Sequence, residues 1–291
     1  MSEDGNELMA FQAQQLSNIW VAPADDLSRP KQITFDSLGQ LKGWNGLDWT
    51  PDGRIVVTGF VGRSETLWAL NADGSNLKQV IPENRISNNL SLSDDGRVLI
   101  FDSNRSGSTE IWRADGDGAN LRQLTTGGRN SQPHVSPDGK FVIYRSSPEG
   151  AGALWRISTE GGEPTQITEK TAEWARFSPD GKMIAYGFNE DGKTKIAVIS
   201  SEGSEPIKSF DVPRTANLRL GIHWTPDGAN VTYRDWANGI WKQPLDGSES
   251  RRLEGLPAEK LYAYGWSRDG KQFAFARGTE IRDVVLINQG K

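Results

Sequence analysis

The sequence predicts an all-β fold, a β-propeller of four-stranded antiparallel blades, and three observations carry that expectation. A tetrapeptide Ser/Thr-x-Asp-Gly recurs seven times, ending at Gly5, Gly53, Gly96, Gly139, Gly181, Gly228 and Gly270. Its intervals of 48, 43, 43, 42, 47 and 42 residues fit either a HEAT-type helical repeat or a propeller blade. Around each motif the apolar residues fall in short β-rich runs bounded by Gly, Asp, Asn or Pro, and no segment keeps a capped 3.6-residue period. That decides for blades. The seven motifs predict seven blades within one domain over 1–291, with six blades and a rearranged closure as the alternative.

Each strand of the repeat has its own signal. An apolar-ended run before the motif (GLDWT, NLSLS, PHVS, ARFS, GIHWT, YGWS) reads as the innermost strand. In Ser-Pro-Asp-Gly, Pro presets φ, Asp suits the third position and Gly accepts a positive φ, so the motif closes a tight hairpin. The second strand follows at once: RIVVTGF, RVLIF, KFVIY, KMIAY, NVTY and KQFAF. The third reads NIWVA, TLWAL, EIWRA, ALWRI, KIAVI, GIWKQ and DVVLI. A polar turn such as DGDGAN then leads to a brief outer strand: KQIT, KQVI, RQLT, TQIT, PIKSF or RRL. Trp20, Trp68, Trp112, Trp155 and Trp241 recur on the third strand and are expected to be buried between neighbouring blades. The first repeat has no inner strand before SEDG and the last has no outer strand after DVVLI, which predicts a chain excised from a longer protein.

Composition narrows the function. The 33 Lys and Arg against 38 Asp and Glu give a net charge of −5, the opposite of the basic patch that nucleic acid or an anionic membrane attracts. No apolar run approaches the roughly 18–20 residues of a membrane helix. The acidic start MSEDGNELMA predicts no signal peptide in this chain. With no Cys, thiol catalysis, disulfides and Cys-ligated zinc are excluded.

Three chemical patterns read as structure. Gly187-Phe-Asn-Glu-Asp-Gly-Lys-Thr194 matches GxxxxGK[ST], but it joins two strands with no helix to cradle phosphate, so a hairpin and no nucleotide cofactor are expected. Asp115-Gly-Asp117-Gly-Ala-Asn120 lacks the distal Glu of a calcium loop and reads as an outer hairpin. No GxSxG elbow occurs and the chain holds two His, so no catalytic residue is assigned. Those two share one repeat position, two before the Ser/Thr of the motif, which reads Asp48, Ser91, His134, Arg176, His223 and Gly265 around the ring. Arg176 between the two imidazoles makes a poor divalent-metal site, so the position is read as channel lining and no metal is assigned. Propeller lyases acting on acidic sugars place metal-binding His at such a channel, with more His than this chain has.

The strings SNRSGSTEIWRADGDGANLRQLT, GGEPTQIT and FSPDGKMIAYGF resemble the Pro-Asp repeats of the TolB family. SNIWVAP, KIAVI and WSRDGKQFAFARG followed by DVVLI are similar to the C-terminal propeller of bacterial membrane-anchored serine/threonine kinases and related winged-helix regulators. The resemblance implies a non-enzymatic recognition module outside the cytoplasm, either a kinase-linked sensor domain or a TolB-like periplasmic scaffold. The gating propellers of prolyl oligopeptidases share these repeats and give a third reading. No kinase Gly-rich loop, His-Arg-Asp loop or Asp-Phe-Gly is present, so the chain corresponds at most to the propeller of such a kinase.

The two long intervals put extra residues into Phe35–Asn45 and Phe210–Gly221, connections that enter an inner strand, and Glu254–Lys260 is also long. In a seven-bladed ring these raise one side of a funnel bearing Trp44, Arg219, His223, Tyr262 and Tyr264, facing Asn89, Gln132, His134 and Trp174. Aromatics, amides and a few charges on such loops suit a protein, peptide or glycan ligand of a monomeric propeller.

Overall fold

The computed structural model describes residues 7–35, 43, 46–61, 64–81, 88–147, 150, 152–203, 205–218, 221–235, 239–256 and 260–288. Two N-terminal strands, β1 (Glu7–Pro23) and β2 (Lys31–Gln32), precede the first complete blade. Blade one holds β3 (Leu47–Trp49), β4 (Arg54–Val61), β5 (Ser64–Asn71) and β6 (Lys78–Gln79); blade two holds β7 (Asn88–Leu92), β8 (Val98–Ser103), β9 (Glu110–Asp115) and β10 (Arg122–Gln123). Blade three comprises β11 (Asn130–Val135), β12 (Phe141–Ser146), β13 (Ala153–Ser158) and β14 (Thr165–Gln166). Blade four comprises β15 (Glu173–Phe177), β16 (Met183–Glu190), β17 (Lys193–Ser200) and β18 (Lys208–Asp211). In blade five the inner strand is split into β19 (Ala216–Asn217) and β20 (His223–Trp224), both paired with β21 (Asn230–Asp235), and β22 (Gly239–Pro244) and β23 (Arg251–Arg252) complete it. Blade six is shared between the chain ends, in the order β2-β1-β25-β24, with β24 at Lys260–Trp266 and β25 at Gln272–Asn288.

The ring therefore has six blades, correcting the count of seven in favour of the alternative. NIWVA is a third strand, as its sequence says, but of the last blade. DVVLI is no third strand: it continues the second strand β25, which pairs with β1 without interruption from Pro23 opposite Gln272 to Glu7 opposite Asn288. One slot cannot be filled twice, and the N-terminal strand already occupies it. The motif ending at Gly5 lies outside the described residues, and the strand after it belongs to blade six.

Among the described residues six apolar clusters hold the ring together, and each spans two blades. Leu47, Trp49, Ile55 and Leu70 of blade one pack on Ile19, Tyr262, Ala274 and Ala276 of blade six. Ile240 of blade five packs on Ala22, Tyr264, Phe273 and Phe275 of blade six. The seam between the termini is thus sealed by the same burial of apolar area that joins the other blades. The third-strand Trp side chains are a partial correction. Trp20, Trp68, Trp112, Trp155 and Trp241 pack against these clusters but stay half-exposed, and the fully covered third-strand positions are their neighbours Leu67, Ile111, Leu154 and Ile240. Guanidinium groups cover two of the indoles, Arg105 over Trp112 at 4.9 Å and Arg277 over Trp20 at 4.6 Å.

The repeated tetrapeptide is a hydrogen-bonded cage. In each of the six described copies the Gly N–H donates to the Ser/Thr carbonyl at 2.8–3.0 Å, and Gly sits at φ between 66 and 79°. The hydroxyl of Ser93, Ser136, Ser178, Thr225 and Ser267 donates to the motif Asp at 2.5–2.6 Å, and that of Thr50 donates to Asp52. The same oxygen accepts a backbone N–H from the start of the second strand, such as Phe141 at 3.0 Å and Met183 at 2.9 Å. These bonds, the hydroxyl's first, hold all six motif carboxyls below their ordinary pKa. The stretch resembling a phosphate loop is the hairpin expected of it: Glu190 pairs with Lys193 around Asp191 and Gly192, at φ 51 and 74°. Asp115 to Asn120 forms the outer hairpin of blade two, with Asn120 Nδ2 on Asp115 Oδ2 at 2.7 Å.

Candidate functional site

The inner strands bring one residue per blade to the central channel, and five of the six repeat positions read from the sequence (Asp48, His134, Arg176, His223 and Gly265) line a cavity of about 150 Å³. It opens at the end where the Ser/Thr-x-Asp-Gly turns lie. Its rim is formed by the variable residue of the motif: Asp94, Pro137, Pro179, Pro226 and Arg268.

A girdle of hydrogen bonds links neighbouring blades at this level. Asp48 Oδ2 accepts the N–H of Leu92 at 2.9 Å, Ser91 Oγ accepts that of Val135 at 3.2 Å, and His134 Nδ1 accepts that of Phe177 at 3.2 Å. In each case the channel side chain of one blade takes the N–H that follows the channel residue of the next. The rule needs an acceptor. Arg176 has none to offer, and among the described residues its guanidinium makes no hydrogen bond or ion pair. Blades four and five are joined instead by the Trp224 indole N–H, which donates to the Arg176 carbonyl at 3.0 Å, as Trp49 does to Gly265 at 3.1 Å.

Charge is distributed unevenly around the wall. Arg268 reaches from blade six to Asp48 at 3.1 Å, Asp94 at 3.4 Å and the Leu92 carbonyl at 2.8 Å, so one guanidinium claims both cavity carboxylates. Burial raises the Asp94 carboxyl against the lowering pull of Arg268. On the opposite wall burial lowers the Arg176 guanidinium, against the raising influence of Asp48 and Tyr264. Burial, followed by the Arg176 and Arg268 charges, pulls His134 well below the ordinary imidazole value, so the ring is neutral at pH 7. With Nδ1 accepting, its proton sits on Nε2. The His223 ring leans against Tyr264 in a tilted contact, with ring centroids 4.3 Å apart. Among the described residues no three His, Asp or Glu side chains converge as metal ligands.

The other end of the channel is built differently. Two residues before the channel position the inner strands of blades two, three, four and six carry a one-residue bulge, and in the first three Asn89, Gln132 and Trp174 adopt φ of 58, 57 and 58°. The same repeat position is Gly46 and Gly221 in blades one and five, at φ of 158 and 99°. The three side-chain-bearing residues are tied together: Asn89 Nδ2 and Gln132 N both donate to Asp102 Oδ2, at 2.8 and 3.0 Å, and Gln132 Oε1 accepts Trp174 N at 2.8 Å.

Of the funnel residues expected from sequence, Asn89, Gln132 and Trp174 stand together at this mouth, while His134 and His223 lie deeper, in the cavity wall. Tyr262 and Tyr264 are core residues, 5% and 1% exposed, with the Tyr264 hydroxyl donating to Thr232 Oγ1 at 3.2 Å; they brace the wall from behind. Trp44 and Arg219 lie outside the described residues. In the six-bladed ring the long connections enter blades one, five and six, which are still contiguous. Sequence reasoning missed Asp94 and Arg268. Their signal was available, since they are the two described copies whose variable position is charged rather than Pro, and the charges are opposite.

Comparison with known proteins places this architecture among related ones. Residues 1–211 match the model of the PD40 family, the TolB beta propeller domain. An uncharacterised protein of Agrobacterium fabrum is 27% identical over 96 residues, a match spanning about a third of either chain (32%). Among solved structures, a putative TolB from Agrobacterium tumefaciens superposes with a TM-score of 0.73 at 19% identity, covering 91% of this chain and 99% of that one. TolB from Acinetobacter baumannii gives a TM-score of 0.64 at 17% identity, with 92% of this chain and 66% of the other covered. At these identities the structural likeness establishes the fold.

Proposed function

From the premise that the chain belongs to the TolB beta propeller domain family, we propose that it is a non-enzymatic recognition module, acting outside the cytoplasm as a monomer, that engages a protein, peptide or glycan at the bulged mouth of its channel. One observation carries this reading. At a repeat position where two blades use Gly, three adjacent blades hold Asn, Gln and Trp in the left-handed region. A non-Gly residue there is strained by about 1–3 kcal/mol, so side chains are kept where Gly would relax the backbone. Asp102 holds the Asn89 amide within its own blade, the Gln132 amide accepts the Trp174 N–H across the blades, and a bulge is a common means of aiming a side chain into a site. Such preorganisation suits recognition. The funnel is assigned Trp44, Asn89, Gln132, Trp174 and Arg219, with His134 and His223 below.

Two multiple variants of matched stability test the assignment. One carries Trp44→Ala, Trp174→Ala and Arg219→Ala; the other changes Asp73 and Asp117 on the outer hairpins. Capture of the native partner from an envelope extract is expected to fail with the first and persist with the second. Loss confined to the hairpin variant would refute the funnel and favour a side-on scaffold. The finer placement, as the sensor propeller of a membrane-bound serine/threonine kinase, rests on the sequence resemblance alone. The reading frame upstream decides between that and a TolB-like scaffold or a peptidase gate.

A further inference from the structure

The cavity at the turn-side end of the channel is a separate matter from the bulged mouth, and its chemistry points to a different kind of ligand. We propose that it binds a single carboxylate group, held by the Arg176 guanidinium with the His134 imidazole as a second donor.

The argument begins with what the fold requires at this position. Asp48, Ser91 and His134 each supply an acceptor to the next blade, and the repeat has a use for that acceptor. Arg176 breaks the series with a donor-only cation, and it receives no compensating contact: among the described residues no carboxylate, carbonyl or hydroxyl meets its guanidinium. Asp48 acts on Arg176 through its charge without pairing with it, and a cation lining a cavity with no countercharge in contact is expensive unless an anion joins it. The two carboxylates of the cavity do not serve. Arg268 binds both, and Asp48 also accepts the N–H groups of Leu92 and Trp49.

Gly221, at φ +99°, lets the His223 and Arg176 side chains approach its backbone closely, since a Cβ there would stand 2.8 Å from His223 Nε2 and 3.5 Å from Arg176 Nη2. His134 turns Nδ1 to the Phe177 N–H, which leaves Nε2–H as the donor that its ring can present to the cavity.

The same geometry selects the ligand. A guanidinium fork matches the planar carboxylate in bidentate fashion. Asp48 and Asp94 on the far wall oppose a second negative charge, which disfavours phosphate dianions and dicarboxylates. A volume of about 150 Å³ accommodates a carboxylate with a short stem and is too small for a nucleotide. Such a group belongs either to a small free acid or to the end of a peptide chain entering from the turn-side rim.

The test is calorimetry on the intact chain at constant ionic strength, with propionate, propionamide, a short peptide with a free C-terminus, and the same peptide amidated. Saturable binding of propionate or of the free-ended peptide is expected, and it should weaken at least tenfold for the matching amide. Binding of propionate identifies a free acid; binding of the free-ended peptide without propionate identifies a chain terminus. Arg176→Gln restores an acceptor at the break in the girdle and is expected to weaken carboxylate binding at least tenfold while raising the thermal midpoint. If neither acid binds, if the amides bind equally, or if the folded Arg176→Gln variant keeps wild-type affinity, the proposal is overturned. The acid–amide comparison on the wild-type chain decides even if the variant does not fold.

Discussion

The two ends of the channel are built on opposite principles. At the turn end the chain repeats itself: six times a hydroxyl, a carboxylate and a Gly close the same cage with the same distances. At the other end one repeat position reads Gly46, Asn89, Gln132, Trp174, Gly221 and Ala263, and Asn89, Gln132 and Trp174 keep one left-handed conformation, at φ of 57–58°, while the side chain changes. Repetition is what a scaffold needs, because every blade poses the same packing problem. Departure from repetition at fixed geometry marks the positions free to be specific. Arg176, Asp94 and Arg268 are departures of the same kind, each placed where the repeat uses another residue type.

The largest expected effect sharpens the scaffold side. Trp49 is 1% exposed, packs in the seam between blades one and six and donates its indole N–H to Gly265. Trp49→Ala should destabilise by about 3–5 kcal/mol, read from denaturant midpoints. Half-exposed Trp112 should lose clearly less on the same change, which reverses the emphasis that sequence alone places on the third-strand indoles. Next comes the cage. Ser178→Ala removes the donor to Asp180 and the acceptor for the Met183 N–H, and about 2 kcal/mol of destabilisation is expected from the unsatisfied groups. An unchanged midpoint would show the cage to be ornamental.

Acid unfolding separates the two classes by pH. The motif carboxyls have folded pKa values below the ordinary 3.8, so the stability they contribute is full above that value and is lost as the pH falls through the folded values. His134 is lowered from 6.5 by burial, so the unfolded chain takes up its proton first, and stability falls as the pH drops below about 6.5. His134→Gln, which can still accept the Phe177 N–H, should remove the upper step and leave the lower one. Persistence of the upper step in that variant would move its origin to another group.

Much of the fold was legible because its signals are local. Turn chemistry fixed the position of every described motif, and the GFNEDGKT hairpin followed from the strands on either side of it. Blade number was not, because closure is a long-range event: nothing within NIWVA tells whether its second-strand neighbour lies ahead in the chain or at its far end. The channel ring was readable by counting back two residues from each motif. What counting could not reveal was that Ser91 turns its hydroxyl to Val135, that Tyr262 and Tyr264 face the core, or that Arg268 reaches across two blades to Asp94. Side-chain direction at a bulge depends on the backbone of the neighbouring strand, which a single segment does not contain.

The central claim is that the strained mouth residues are kept for recognition and not for the fold. Equilibrium denaturation of the double variant Asn89→Gly and Gln132→Gly tests it most directly, with Trp174 left in place because it packs against the apolar cluster of blades four and five. Relief of the left-handed strain offsets the lost Asp102 and Gln132 hydrogen bonds and the added freedom of the unfolded chain. The midpoint should therefore correspond to a stability within about 1 kcal/mol of the parent chain. A loss of about 3 kcal/mol or more, on the scale of a core truncation, would make these residues part of the scaffold and contradict the account.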